Sequence, residues 1–254
     1  MSRMLYCALG VVAASSLFAA CGGDDDGGDR RVIEITQTDD DCTPNPIALQ
    51  PGEKVKFEVH NESGKDKEVE GIEGTKLEEL IIPKGKTRNL NYTAPDEPGT
   101  GKIKCYVPGG STTIIELQVG GGGAATNGEG EEEEDGEGVG QAVTDKEPQD
   151  TVNVDLVEYK VTPDKPSVAE GPTKFVAKNT STSQVHELAV LRVKDDGDFE
   201  NMGEIEDLDP GADGEVVLDL PKGKYVLACL IVPGEEGSTV DHFKEGMRVD
   251  FEVK

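Results

Sequence analysis

Two imidazoles, a thiol and a thioether stand in the C-terminal part of the chain at a spacing that suits a soft metal. His186 opens the run HELAVLRV, Cys229 ends the run GKYVLAC, and His242 and Met247 lie together in DHFKEGM. One imidazole comes from a strand of its own. The thiol, the second imidazole and the thioether share one later loop. Two histidines and a cysteine in a plane, with a weak axial methionine, form the ligand set of a mononuclear blue-copper centre. The soft sulfurs suit Cu(I) and the imidazoles suit both oxidation states, so a rigid scaffold that keeps one geometry permits one-electron transfer. Taken singly, each residue has a plainer role: His186 on a strand surface, Cys229 as a small buried apolar group, Met247 in a core. Taken together they weigh differently, because the chain has only three His and four Met, one of them the initiator. A sandwich of the same pattern that holds no metal is the competing reading.

These side chains need a scaffold. A length of 254 residues allows two domains at roughly 150 residues each. With 32 Gly, 14 Pro and no Trp, the composition suits small, turn-rich β-domains better than one large α/β enzyme. Segments 31–119 and 151–254 repeat one grammar. Each opens with an alternating strand (VIEIT, VNVDLVEY) and continues through a turn into a second (KVKFEVHN, TKFVAKN). A polar turn follows, then an apolar strand and a Pro-Gly-type turn. A late strand runs into a Cys (GKIKCYV, GKYVLACLIV), and a last strand closes the unit (TTIIELQV, MRVDFEV). Period-two patterning with frequent turn signals predicts an all-β chain of two tandem Greek-key β-sandwiches. Only 196–207 (DGDFENMGEIED) reads as a short helix. Residues 120–150 carry ten acidic residues and one Lys among many Gly. They read as a disordered, self-repelling linker that lets the two units swing independently.

The second unit resembles the cupredoxins, in particular the plastocyanin- and azurin-like blue-copper domains. The likeness rests on Asn179-x6-His186, on the GKYVLAC run into Cys229 and on the HFxxGM run into Met247, and it spans 151–254. It implies one copper ion held by His186, Cys229, His242 and Met247. Twelve residues separate Cys229 from His242, more than is usual for the family, and the insertion PGEEGSTVD is expected to bulge outward.

The first unit aligns Asn61 with Asn179, Glu68 with His186 and Cys105 with Cys229, and offers no counterpart of His242 or Met247. It resembles the cupredoxin-like domain of EfeO-type iron-uptake proteins, which implies a metal site on Cys42, Glu68 and Cys105. The large partner domain of those proteins is absent. Cysteine arithmetic gives the alternative. Once Cys7 and Cys21 are set aside, pairing Cys42 with Cys105 as a disulfide leaves Cys229 free as a thiolate. His60 reads as an exposed strand residue.

Residues 1–21 (MSRMLYCALGVVAASSLFAAC) look like a bacterial lipoprotein signal, with residues 1–20 removed and Cys21 acylated. Residues 22–29 (GGDDDGGD) then form a polar tether. The expectation is an extracytoplasmic, membrane-anchored protein. With 25 Lys+Arg against 52 Asp+Glu the net charge is −27, which excludes nucleic acid as a partner and favours a basic one. No Ser-His-Asp arrangement, phosphate-binding Gly loop or CxxC motif is present, and three His are too few for a trinuclear copper site. The chain therefore reads as no enzyme. It is a copper protein for one-electron transfer, with two alternatives: a metal-free interaction module, or an EfeO-like copper- or iron-handling protein without redox shuttling.

Overall fold

Alternation of apolar and polar residues drives almost every element of the chain. In the computed structural model, which describes residues 30–77, 79–120, 132–133 and 142–254, no helix occurs among the described residues. Strand Asp150–Val157 (DTVNVDLV) buries Val152, Val154 and Leu156 and exposes the residues between them. This is the pattern of a strand with one face in a core. The signal, Cys21 and the tether lie outside the described residues.

The first unit contains β1 (Arg31–Gln37), β2 (Cys42–Thr43), β3 (Ile47–Leu49), β4 (Lys54–Asn61), β5 (Lys67–Ile72), β6 (Leu80–Ile82), β7 (Thr87–Thr93), β8 (Gly99–Tyr106) and β9 (Thr112–Val119). A two-residue strand, β10 (Glu132–Glu133), pairs with the edge of β7. The second unit contains β11 (Asp150–Val157), β12 (Lys160–Pro163), β13 (Ser167–Val168), β14 (Gly171–Asn179), β15 (His186–Val193), β16 (Phe199–Leu208), β17 (Asp213–Leu220), β18 (Gly223–Ala228) and β19 (Arg248–Val253).

Two sheets face each other in each unit. Their strand orders are β10-β7-β4-β1-β2 and β3-β9-β8-β5-β6 in the first, β12-β11-β14-β17 and β13-β19-β18-β15-β16 in the second. The plans correspond. Each unit pairs its first strand with its main second strand in parallel, β1 with β4 and β11 with β14. Each also pairs a short early strand in parallel with its last, β3 with β9 and β13 with β19. One core gathers Phe57, Val59, Leu49, Ile103, Ile115 and Leu117. The other gathers Phe175, Leu188, Val190, Leu218, Leu227 and Phe251.

A third apolar cluster lies between the units. Tyr106 from the first packs with Ala189, Leu191, Val226, Ala228, Leu230, Val232 and Phe243 from the second. β15 and β18 are therefore buried on both faces. Leu188, Val190, Tyr225 and Leu227 enter the second core, while Ala189, Leu191, Val226 and Ala228 meet the first unit. The outer faces of β5 and β8 add charge to this contact. Glu68 and Lys104 are both buried, and Lys194 pairs with Asp66 across the boundary. The expectation of independently swinging units thus fails, because the faces that alternation assigns to solvent are docked on each other.

Two further expectations need correction. Residues 196–207 form no helix. They enter β16, which buries Met202, Ile205 and Leu208 against β15 and β17. An available sheet edge outweighs a polar, acid-rich composition. The linker is also ordered at its C-terminal end. Ala142 is buried, Val143 bridges Leu218, and Thr144 N donates to Val217 O at 3.0 Å.

Cys42 and Cys105 are joined as a disulfide inside the first core, both almost fully buried. It ties β2 to β8 across a sequence separation of 63. Replacing both cysteines by alanine should lower the unfolding free energy by about 4 kcal/mol on the chain-entropy estimate. Urea unfolding of the full chain, followed by circular dichroism, checks this.

Candidate metal centre

A single buried asparagine sets the start of β15. Asn179 Nδ2 donates to Gln184 O at 2.8 Å and Leu208 O at 2.7 Å, and its Oδ1 accepts from Ser181 N at 2.9 Å. These bonds close the turn over residues 180–185 and deliver His186 to the sheet opposite Leu208. Strand parity then turns His186 inward, on the same face as Leu188 and Val190. The same parity on β18 runs Tyr225, Leu227 and on to Cys229. Backbone bonds cross-tie the loop that follows. His242 N donates to Ile231 O at 2.9 Å, Met247 N to His242 O at 2.9 Å, and Cys229 N to Met247 O at 3.1 Å.

These elements bring three donors together. Cys229 Sγ lies 3.3 Å from His242 Nδ1 and 3.9 Å from His186 Nδ1. One ligand atom from each residue falls within 4.8 Å of the others. His186 and Cys229 are fully buried and His242 is 1% exposed. Met247 is fully buried in the same core as Cys229. On the far side of His242, Nε2 lies 3.2 Å from Ser238 Oγ. That hydroxyl already donates to Val240 O at 2.9 Å, so it accepts from the ring. The proton is thereby placed on Nε2 and the lone pair on Nδ1, facing the sulfur. A hydrogen bond on the outer ring nitrogen commonly fixes the tautomer and orientation of a metal-binding imidazole. The ring of Tyr159, at the β11–β12 hairpin tip, meets His242 edge-on with centroids 5.5 Å apart. Its backbone is left-handed, φ 57°, an uncommon state for a bulky residue.

Burial and the neighbouring His186 push the His242 pKa down to about 4, and burial lowers that of His186. Both rings are neutral at pH 7, as coordination requires. Burial, with Glu187 adding to it, pushes the Cys229 thiol well above its ordinary value. The metal-free thiol therefore keeps its proton, and a metal that binds there must release it.

The first unit repeats the scaffold without the ligands. Asn61 Nδ2 donates to Lys65 O at 2.8 Å and Ile82 O at 2.7 Å, and Oδ1 accepts from Ser63 N at 2.9 Å. This is the Asn179 arrangement over again. Glu68 follows at the place of His186 but faces away from Cys105, because Cys105 pairs with Val69 while Glu68 pairs with Tyr106. With both sulfurs in a disulfide, no thiolate remains for a Cys42–Glu68–Cys105 metal site. Burial, with the nearby Glu204 charge adding to it, raises Glu68 to about 7, in a carboxylate cluster at the boundary between the units. His60 is half-buried on β4, its Nδ1 2.8 Å from Thr87 Oγ1. It lies near Glu34 and Glu58 on a solvent-facing sheet.

The insertion 233–241 does not bulge outward. It folds back on the first unit, where Glu235 meets Lys104. Sequence reasoning missed Ser238, Tyr159 and Glu235 as neighbours of the site. The extra loop length was the one signal that pointed to a special role for the insertion.

The chain resembles reduced auracyanin from the photosynthetic bacterium Roseiflexus castenholzii at 21% identity and TM-score 0.34, covering 42% of this chain and 99% of that one. It resembles auracyanin B at 18% identity and TM-score 0.37, covering 46% and 96%. It resembles the McoA multicopper oxidase from the hyperthermophile Aquifex aeolicus at 13% identity and TM-score 0.37, covering 89% of this chain and 66% of that one. No curated protein matches the sequence. Residues 8–115 match the family model of the cupredoxin-like domain.

Proposed function

We propose that the chain holds one copper ion through His186, Cys229, His242 and Met247 and serves in one-electron transfer, tethered outside the cytoplasm by a lipid on Cys21. The observation that supports this most is the convergence of two imidazole Nδ1 atoms and one thiol, all within 4.8 Å and buried. The donor set fits copper: one thiolate and two neutral imidazoles, with a thioether close in the same core. When bound, copper would supply a one-electron couple between Cu(I) and Cu(II). The chain's own residues do the rest. Asn179 fixes His186, Ser238 fixes the His242 tautomer, and the cross-tied backbone of 229–247 keeps the donors in place whether or not metal is present. Burial excludes water from the donors. The net charge of −27 suits docking of a basic redox partner.

The test is redox cycling of the copper-loaded full chain against a chelator. The expected result is reversible bleaching and recovery of the visible band with one electron per copper, and copper retained throughout. Release of copper to the chelator on reduction would instead support a copper-handling role without redox shuttling.

A further inference from the structure

The loop that carries Cys229, His242 and Met247 is gripped from outside by the first unit. Lys104, on the outer face of β8, lies 2.8 Å from Glu70 Oε2 within its own unit. It also lies 3.0 Å from Glu235 Oε1 in the insertion of the second unit. The Lys104 and Glu235 side chains are each only 4% exposed. Lys102, on the same face of β8, donates to Gly234 O at 2.9 Å. Glu235 passes this hold inward. Its Oε2 accepts from Val232 N at 3.0 Å, and its carbonyl accepts from Ser238 N at 2.8 Å. Ser238 Oγ then accepts from His242 Nε2. A continuous chain of polar contacts thus runs from an ammonium of the first unit to the ring nitrogen that fixes the His242 tautomer.

The other flank of the loop is held by shape. Phe243, next to His242, packs on the turn after β8. A Cβ placed at Gly109, whose φ is +70°, would stand 2.9 Å from the Phe243 ring. Leu230 and Val232, just after Cys229, pack with Tyr106 of β8.

We propose that the first unit is a built-in clamp for the metal-ligand loop of the second, with Lys104 as a positioning residue that acts on His242 through Glu235 and Ser238. This rests on the copper reading of the site. It gives the first unit, which lacks the ligands, a task at the second unit's centre. The aligned ends of two related sandwiches are used differently: one supplies donors and the other holds the loop that bears them. Removing a hydrogen-bonded outer partner of a metal ligand commonly weakens a site by 10–100-fold.

The test uses the full chain with Lys104→Met, Glu235→Gln and, as control, Lys84→Met. Lys84 pairs with Asp196 across the same boundary, but both side chains are about half exposed. Two readouts are taken: hydrogen exchange of the Val232 and Ser238 amides in the metal-free chain, and the rate of copper loss to a chelator in the loaded chain. The urea midpoint is followed alongside, to separate loop release from global loss of stability. The expected result for Lys104→Met is faster exchange at both amides, copper loss about tenfold faster and a shifted thiolate-to-copper band. Glu235→Gln should change in the same direction, and Lys84→Met should stay within about twofold of wild type. A folded Lys104→Met chain with wild-type exchange and copper loss would overturn the proposal. If Lys104→Met does not fold, wild-type behaviour of Glu235→Gln would overturn it. If the wild-type chain takes up no copper, the copper reading fails, and the exchange data alone decide whether the clamp holds the loop.

Discussion

Asn179→Ala is expected to destabilise the second unit by about 3 kcal/mol or more and to cost at least about tenfold in copper affinity. The asparagine is fully buried and makes three hydrogen bonds to backbone, as donor to Gln184 O and Leu208 O and as acceptor from Ser181 N. Alanine would leave a buried carbonyl, a buried N–H and a partly buried carbonyl without that partner, the buried ones each costing about 1–3 kcal/mol. The turn those bonds close ends at His186, so the same change loosens one donor of the metal site. Asn61→Ala provides the internal comparison. It removes the equivalent three bonds from the first unit, where Glu68 stands in place of the histidine. A comparable loss of stability is expected there, without loss of the His186 donor. Urea unfolding of the metal-free chain and a copper competition titration read the two effects separately. Equal copper affinity in Asn179→Ala and wild type would contradict the role given to this turn.

The second large effect concerns pH. A cluster of carboxylates is shut between the units, where Asn201 Nδ2 donates to Glu79 and Glu204, each at 3.0 Å. An acidic cleft of about 450 Å³ opens beside it, lined among others by Glu70, Glu206 and Glu235. Burial raises Glu68 to about 7. Burial and the neighbouring carboxylates hold Glu79 and Glu204 well above the usual range. The folded state therefore favours the protonated acids. Their stabilisation is fully present below the unfolded pKa near 4.5 and is lost as pH rises through the folded pKa. For Glu68 the loss is on the order of 3 kcal/mol between pH 4.5 and 8. The two site histidines act in the opposite sense below pH 6.5, because their pKa values are lowered in the fold. Comparison with Glu68→Gln, which does not titrate, cancels that contribution. Relative to wild type, the metal-free Glu68→Gln chain should gain on the order of 3 kcal/mol of stability between pH 4.5 and 8. A stability difference that stays flat across this range, in urea unfolding at a series of pH values, would show that Glu68 is already ionised in the fold.

Much of the site was legible because its chemistry is tied to positions along strands. Asn179, His186, Cys229, His242 and Met247 each sit at a strand end or in the loop between two strands, so spacing alone brings them near one another. The doubled Asn61/Asn179 turn was readable for the same reason. What lay beyond the sequence was the boundary between the units. On β5 and β8, Glu68, Lys104 and Tyr106 alternate with core residues, and such alternation looks the same whether the polar face meets water or another domain. The clue was on the opposite surface. HELAVLRV and YVLACLIV are apolar at both parities, which marks strands covered on both faces. Ser238 carried no signal, because its contact with His242 depends on how a long loop folds back. β16 was misread because the pull of a neighbouring strand outweighed a composition that favours helix or loop.

The most direct test of the account is the visible absorption of the full chain loaded with Cu(II), measured beside Cys229→Ser. The full chain is needed, because a fragment of 151–254 alone would expose Leu230, Val232 and Phe243 and leave Glu235 without Lys104. The account predicts an intense thiolate-to-copper band in wild type that is absent in the variant. A colourless wild-type chain that binds no copper, or a band that survives loss of the thiol, would contradict it.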